Sequence, residues 1–295
     1  MTYTADSLVV KATDDGNAGE FCRINAVDVG WEHLNMSAYR MKKGETFSHK
    51  TNNHENLTVI LGGVCNIKNE DGEFKNIGRR PNVFSGMPYA LYQSRNKFFE
   101  VEALTDLEFV SCWVPTEEDH PTQLITPDMS NIEIRGGANV TRQINSIVPP
   151  GFDCQRIVCV EVYTPSGNWS SYPPHKHDVH REDENGNVLE ADLEEIYFYK
   201  MDNPNGYAYQ RVYNDDRSID SLVKPEHHDA VLVPEGYHPV VSPPGYTTYY
   251  INFLAGSAQS LANSDDPDYA WVKDTWTFQD PRLPVVHHGM EPRQK

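Results

Sequence analysis

Cysteine is scarce in this 295-residue chain, and the five present (Cys22, Cys65, Cys112, Cys154 and Cys159) form no CxxC pair. That argues against a disulfide framework and against a thiolate zinc site, and leaves the thiols as small buried apolar side chains. Positive charge is also in short supply: 25 Lys and Arg face 43 Asp and Glu, for a formal net charge of −18. This balance argues against nucleic acid or an anionic membrane as partner, while a local arginine can still hold a small anion. No uninterrupted apolar run approaches the ~20 residues of a membrane-spanning helix. The opening "MTYTADSLVVKATDDGN" lacks the basic segment, apolar stretch and small-residue cleavage site of a secretory signal. A cytoplasmic location is expected. Helical periodicity is equally rare.

What the chain has instead is a succession of short runs rich in Val, Ile, Tyr and Phe, punctuated by Gly, Pro, Asn and Asp. "NLTVILGGVCNI", "LEFVSCWV", "RIVCVEVYT", "EEIYFYKM" and "YTTYYINFLAG" are examples. Many short strands at close spacing imply an all-β sandwich or barrel, and 16 tyrosines and 11 phenylalanines suit such strands. The order of motifs repeats. "GETFSHKTNNHENLTVILGG" precedes "VFSGMPYALY" and "LEFVSCWV", just as "GNWSSYPPHKH" and "LEEIYFYK" precede "AVLVPEGYHPV" and "YTTYYINFLAG". A duplicated β-barrel module follows, with its join in the loop-forming stretch 127–152 and expected domains of 1–130 and 131–295. The acidic stretch 178–193 reads as an exposed excursion turning at Asn185-Gly186.

The second half carries a constellation with chemical meaning. Residues i and i+2 of a strand share a face, so His175 and His177 can point into the barrel together while Lys176 points away. In "LEEIYFYK", Glu195, Tyr197 and Tyr199 fall on one face and Glu194 on the other. His238 closes "VLVPEGYHPV", where Pro234 and Gly236 form the turn. Three imidazoles and a carboxylate converging in a barrel would hold a divalent metal and leave coordination positions open. The corresponding stretch of the first half offers His49, His54 and Glu55, but "VFSGMPYALY" has no histidine. A second metal site is not expected there.

HxH, then Glu, then a Pro-Gly turn ending in His resembles the two-part metal signature of the cupin superfamily. More specifically, "EVYTPSGNWSSYPPHKHD", "LEEIYFYK", "QRVYNDD", "LVPEGYHPV" and "PGYTTYYINFLAG" resemble the bacterial 5-deoxy-glucuronate isomerases of inositol catabolism. The likeness is strong over residues 135–276. It implies a bicupin, two tandem jelly-roll-like β-barrels, with one metal site in the C-terminal barrel formed by His175, His177, Glu195 and His238. The resemblance prefers Glu195 to Glu194, because the cupin glutamate directly precedes an aliphatic residue, here Ile196. The implied activity is an aldose–ketose isomerisation, an intramolecular oxidoreduction, of a small anionic sugar acid.

That chemistry asks for one divalent ion acting as a Lewis acid. Zinc is the first choice, and manganese, iron, nickel or cobalt are compatible with the same ligands. A substrate carboxylate asks for a cation, and Arg211 in "GYAYQRVYN" is the expected anchor, with Tyr209 beside it as substrate contact and candidate proton carrier. Arg142 and Arg156 are weaker candidates for the anchor. Three other readings stay open at this point: a ketol-isomerase of unsaturated uronates from pectin, a cupin oxygenase using iron, and a non-catalytic sugar-binding bicupin. Homo-oligomerisation is compatible with edge strands and surface aromatics.

Overall fold

The computed structural model describes residues 3–290. The all-β expectation holds. Valine, isoleucine and the aromatics that crowd the apolar runs pair into antiparallel ladders, and the short helices, four to six residues at the longest, merely connect them. Among the described residues no helix is long and apolar enough to cross a membrane. All five cysteines are buried and free of disulfides.

Two compact units emerge, and neither is a single stretch of chain. One holds the segment ending at Lys11 together with Ile132–Pro150 and Val158–Val285. The other holds Ala12–Asn131, Gly151–Ile157 and the segment from Val286 onward. The N-terminal exchange has a plain cause: Val9 and Val10 pair antiparallel with Val231 and Ala230, and Leu8 beside them is fully buried. This short strand covers an edge that would otherwise present unpaired backbone groups.

Within the unit of the second half, the large sheet runs in the order Val9–Val10, Ala230–Val233, Leu193–Met201, Thr248–Gly256, Val158–Thr164, Arg142–Val148, Asn131–Arg135. A four-stranded sheet of Trp169–Ser170, Val240–Val241, Tyr209–Tyr213 and Asp220–Val223 accompanies it. The hydroxyl of Tyr199 on the large sheet donates to Gln210 on the small one at 2.8 Å, so the two sheets face each other. The unit of the first half repeats the plan. Its large sheet reads Gln123–Ile125, Tyr89–Gln93, His54–Gly62, Leu107–Pro115, Asn35–Met41, Gly19–Ile24, and its small sheet Thr46–Lys50, Phe98–Ala103, Cys65–Asn69, Gly72–Ile77. Ile60, Leu91 and Phe109 from the large sheet pack on Ile67, Phe99 and Val101 from the small one. In each unit a nine-residue strand, His54–Gly62 or Leu193–Met201, lies between a shorter strand, Tyr89–Gln93 or Ala230–Val233, and the last long strand, Leu107–Pro115 or Thr248–Gly256. The duplication read from motif order is therefore a duplication of topology.

The stretch 178–193 folds as expected into an excursion, a hairpin of Arg181–Glu182 with Val188–Glu190. Gly186 takes φ 79°, and the Asp183 carboxylate accepts from the backbone N–H groups of Asn185 and Asn187. Because the hairpin returns on itself, His177 lies beside Leu193, whose N–H donates to the His177 carbonyl at 3.0 Å. The long insert therefore leaves HxH and Glu195 adjacent.

Candidate metal centre

His175 and Lys176 form a two-residue ribbon with Ser264 and Asp265. The ribbon is further held by the N–H of Asp266 donating to the Pro174 carbonyl at 2.7 Å. Glu195 sits on the long strand Leu193–Met201, between Val233 and Leu254 on its neighbours. His238 follows a turn that only glycine fits: Gly236 has φ 89°, and a Cβ there would stand 2.4 Å from the Tyr213 carbonyl oxygen. The Gly236 N–H donates to the Asp178 carboxylate at 2.7 Å, tying the His238 turn to the residue after His177. That tie uses a residue that the motif analysis passed over.

His177, Glu195 and His238 are all buried, and their potential ligand atoms lie within 4.8 Å of one another. Each histidine has its Nδ1 against a backbone carbonyl: His177 on Leu193 at 2.9 Å, His238 on Gly236 at 2.8 Å and His175 on Pro173 at 3.3 Å. A carbonyl can only accept, so Nδ1 carries the proton in the neutral ring and Nε2 keeps its lone pair. The Nε2 atoms of His177 and His238 then stand 3.0 and 3.2 Å from the same oxygen, Oε2 of Glu195. The contact of His238 lacks the geometry of a hydrogen bond, and this buried Nε2 has no hydrogen-bond partner. Lone pairs of two imidazoles and a carboxylate aimed at one point repel unless a proton or cation sits between them. The donor set fits a divalent metal, with each imidazole oriented from behind as in protein metal sites generally.

Burial alone would raise the Glu195 carboxyl, but His238 and His177 hold it down to about 2. Burial pushes the His175 imidazole well below its ordinary range, helped by His238 and His177. Burial likewise opposes the charged form of His177, yet the hydrogen bond and charge of Glu195 turn its net shift upward. His175 is not among the three residues whose ligand atoms converge; its ring stands edge-on to that of His238, with centroids 4.9 Å apart. The other oxygen of Glu195 accepts from Asn252 at 2.7 Å, which fixes the carboxylate plane.

A cavity of about 140 Å³ opens on this cluster, lined by His175, His177, Glu195, Tyr197, Tyr250 and Arg142 among others. His238 is fully buried and is not among the lining residues. Ser171, held at φ 49°, places its hydroxyl 3.1 Å from that of Tyr197 and 3.5 Å from that of Tyr250. Burial drives the Tyr197 phenol well above its usual range, so it stays protonated. Glu194, as strand alternation required, pairs opposite Ala255 and is not among the residues lining the cavity.

Arg211 and Tyr209 are not brought to this cavity, which corrects the expected anchor. They line a separate groove with Trp169 and Tyr172. Alternation was read correctly but from the wrong face: Gln210 is the fully buried residue bonded to Tyr199, so its neighbours point away. Arg211 is instead taken by Asp220 through two bonds of 2.8 Å and lies over the ring of Tyr213. Arg156 belongs to the other unit, within Gly151–Ile157. The arginines at the cavity are Arg135 and Arg142.

Fold and site together define a double-barrel all-β protein with a buried histidine–carboxylate cluster, able to hold a metal ion, in one barrel. Residues 8–272 match the KduI/IolB family, and the chain belongs to that family. It is 40% identical over 269 residues to the 5-deoxy-glucuronate isomerase of Geobacillus thermodenitrificans (strain NG80-2), covering 91% of this chain and 96% of that protein. The 5-deoxy-glucuronate isomerase of Bacillus subtilis (strain 168) is 38% identical over 242 residues, 81% of this chain and 88% of its own. Among solved structures, an IolB-like protein of Salmonella typhimurium LT2 superposes with a TM-score of 0.85 at 33% identity, over 90% of this chain and 98% of that one. A variant of Bacillus subtilis oxalate decarboxylase superposes at a TM-score of 0.57 and 12% identity, over 90% of this chain and 80% of that one, a likeness of fold alone. The resemblance drawn from the motifs, and the bicupin fold it implied, are borne out.

Proposed function

We propose that this protein is a metal-dependent aldose–ketose isomerase that converts 5-deoxy-glucuronate to 5-dehydro-2-deoxy-gluconate in inositol catabolism. Membership of the KduI/IolB family and relatives named for this reaction support the substrate. The observation that carries the chemistry is the convergence of the His177 and His238 Nε2 atoms on one oxygen of Glu195, with every Nδ1 anchored from behind. His175, His177, Glu195 and His238 are assigned as the ligands. Zinc suits this thiolate-free nitrogen and oxygen set and a reaction that needs no electron to leave the substrate. The chemistry is assigned to the unit containing Ile132–Pro150 and Val158–Val285. Five buried cysteines without a disulfide fit a reducing, cytoplasmic setting.

The reaction is internally balanced. The aldehyde carbon gains a hydrogen and becomes an alcohol, while the neighbouring alcohol carbon loses one and becomes the ketone. When bound, the metal supplies Lewis-acid polarisation of the substrate oxygens. The chain supplies the rest. Asn252 keeps Glu195 from rotating, and the protonated Tyr197 with Ser171 presents hydroxyls to the sugar's oxygens along one wall. These groups are fixed before substrate arrives, which is what makes such donors effective.

Proton NMR of the metal-reconstituted protein with 5-deoxy-glucuronate in deuterated buffer tests the reading. Conversion to the 2-deoxy-5-keto acid, abolished in His177→Ala, is expected. No conversion at full metal occupancy, with turnover of an unsaturated pectin uronate instead, would reassign the enzyme to that substrate.

A further inference from the structure

Resting on the isomerase reading, we propose that Arg142 is the residue that binds the substrate's carboxylate, through the Nε–Nη2 edge of its guanidinium.

Arg142 opens the strand Arg142–Val148, and the period of two sends Arg142, Ile144 and Ser146 to the cavity. Gln143 and Asn145 point the other way, where Gln143 donates to Asn145 and Asn145 to Glu161. The Arg142 residue is only 5% exposed. Its Nη1 donates to the carbonyls of Val140 at 3.4 Å and Tyr172 at 3.2 Å, which pins the plane of the fork. Among the described residues, Nε and Nη2 have no hydrogen-bond acceptor, and no carboxylate stands within ion-pair distance of the group. Burial draws the guanidinium down to about 10, which leaves it charged at neutral pH.

A buried cation without a counter-ion is expensive, and proteins keep one where a ligand completes it. The other charged groups around the same cavity do not compete. Arg135 is held by Glu133 through bonds of 2.8 and 2.7 Å, and both are about half exposed. Lys176, next to the histidines in sequence, is turned out to Asp215. A planar fork with one edge anchored and one edge free matches a carboxylate bidentately, a geometry that lysine cannot supply. Arg142 thus marks where the acid end of the sugar goes, and the histidine cluster marks where its carbonyl end goes. The site selects uronic acids over neutral sugars.

The test compares wild type, Arg142→Gln and Arg142→Lys, each reconstituted with zinc and checked for metal content and thermal unfolding. Losing a charge-assisted bidentate contact should raise KM for 5-deoxy-glucuronate on the order of 10²-fold in Arg142→Gln, with a smaller fall in kcat. Arg142→Lys, which keeps the buried charge, should raise KM by roughly tenfold. Calorimetric titration gives a readout without turnover: wild type should bind 2-deoxy-gluconate far more tightly than the matching neutral hexitol, and Arg142→Gln should lose that preference. If Arg142→Gln does not fold, the lysine variant and the wild-type ligand preference decide. Unchanged KM in Arg142→Lys, or no wild-type preference for the acid, overturns the assignment. Failure of wild type to turn over the substrate while still preferring the acid would instead count against the isomerase reading alone.

Discussion

Asp178 offers the sharpest test of how the metal centre is held. Its carboxylate accepts the Gly236 N–H at 2.7 Å, and its own N–H donates to Glu190 at 3.0 Å. One side chain therefore joins the segment that ends in His177 to the turn that presents His238. The His238 Nδ1 in turn rests on the carbonyl of the same Gly236. In Asp178→Ala the turn keeps its glycine but loses its tether. A hydrogen bond between N–H and a carboxylate contributes about 1.5–3 kcal/mol. Partners behind the ligands of a metal typically account for 10–100-fold in affinity, equivalent to roughly 1.4–2.7 kcal/mol. The two ranges overlap, so if most of the tether's energy is felt at His238, zinc affinity should fall by about 10–100-fold. Asp178→Asn keeps an acceptor oxygen and should lose less than about tenfold.

Competition against a zinc-binding dye measures the affinity directly, with kcat per bound zinc followed in parallel. The expected pattern is weaker zinc binding in Asp178→Ala with activity per bound zinc largely retained at saturation. A variant that unfolds at lower temperature yet binds zinc within twofold of wild type would show that Asp178 merely steadies the loop, and the reasoning would fail.

Two further predictions concern stability. Glu55 is fully buried and accepts the backbone N–H groups of Gln155, Arg156 and Ile157 and the hydroxyl of Tyr92. Glu55→Gln sets an amide N–H₂ against backbone donors on one side and should lower unfolding free energy by about 2–4 kcal/mol in denaturant titration; a loss below about 1 kcal/mol would refute the account. Asp280 is held down from 3.8 to about 2 by its hydrogen bonds to Arg282, so its contribution to stability is full above pH 3.8 and lost as pH falls through about 2. Asp280→Asn should therefore unfold at lower temperature than wild type at neutral pH, with the gap closing near pH 2 in scanning calorimetry; a gap that widens on acidification contradicts the sign.

Local periodicity made much of this protein legible. Alternation put Glu195 and Glu194 on opposite faces, the family resemblance chose between them, and Asn185-Gly186 marked the hairpin that brings His177 back to Leu193. Alternation could group Tyr209 with Arg211 but could not say which side of their strand faces in, because both sides of "YAYQRVY" carry residues able to pack. The inward choice was made by Gln210, whose partner Tyr199 lies on the facing sheet. Arg142 was named but ranked low for a related reason: what recommends it as the proposed anchor is the absence of a counter-ion among the described residues and a bond to Tyr172, 30 residues away. The pairing of Val9 with Val231 is longer-range still, and nothing within a short window specifies it.

The repeated topology puts a buried glutamate near the start of the second long strand in each barrel, and the two have opposite surroundings. Around Glu55 every neighbour is a donor: three main-chain N–H groups and a phenol. A carboxylate so saturated has no lone pair left for a cation, and it serves instead to fix Gly151–Ile157 within its unit. Around Glu195 one oxygen meets a donor, Asn252, while the other meets two imidazole nitrogens whose protons are committed to carbonyls behind them. The same residue on the same scaffold is thus an anchor in one barrel and, in the function proposed above, a ligand in the other. What decides between them is the chemistry of the groups it faces: donors close a carboxylate, and lone pairs leave it incomplete until a positive charge arrives.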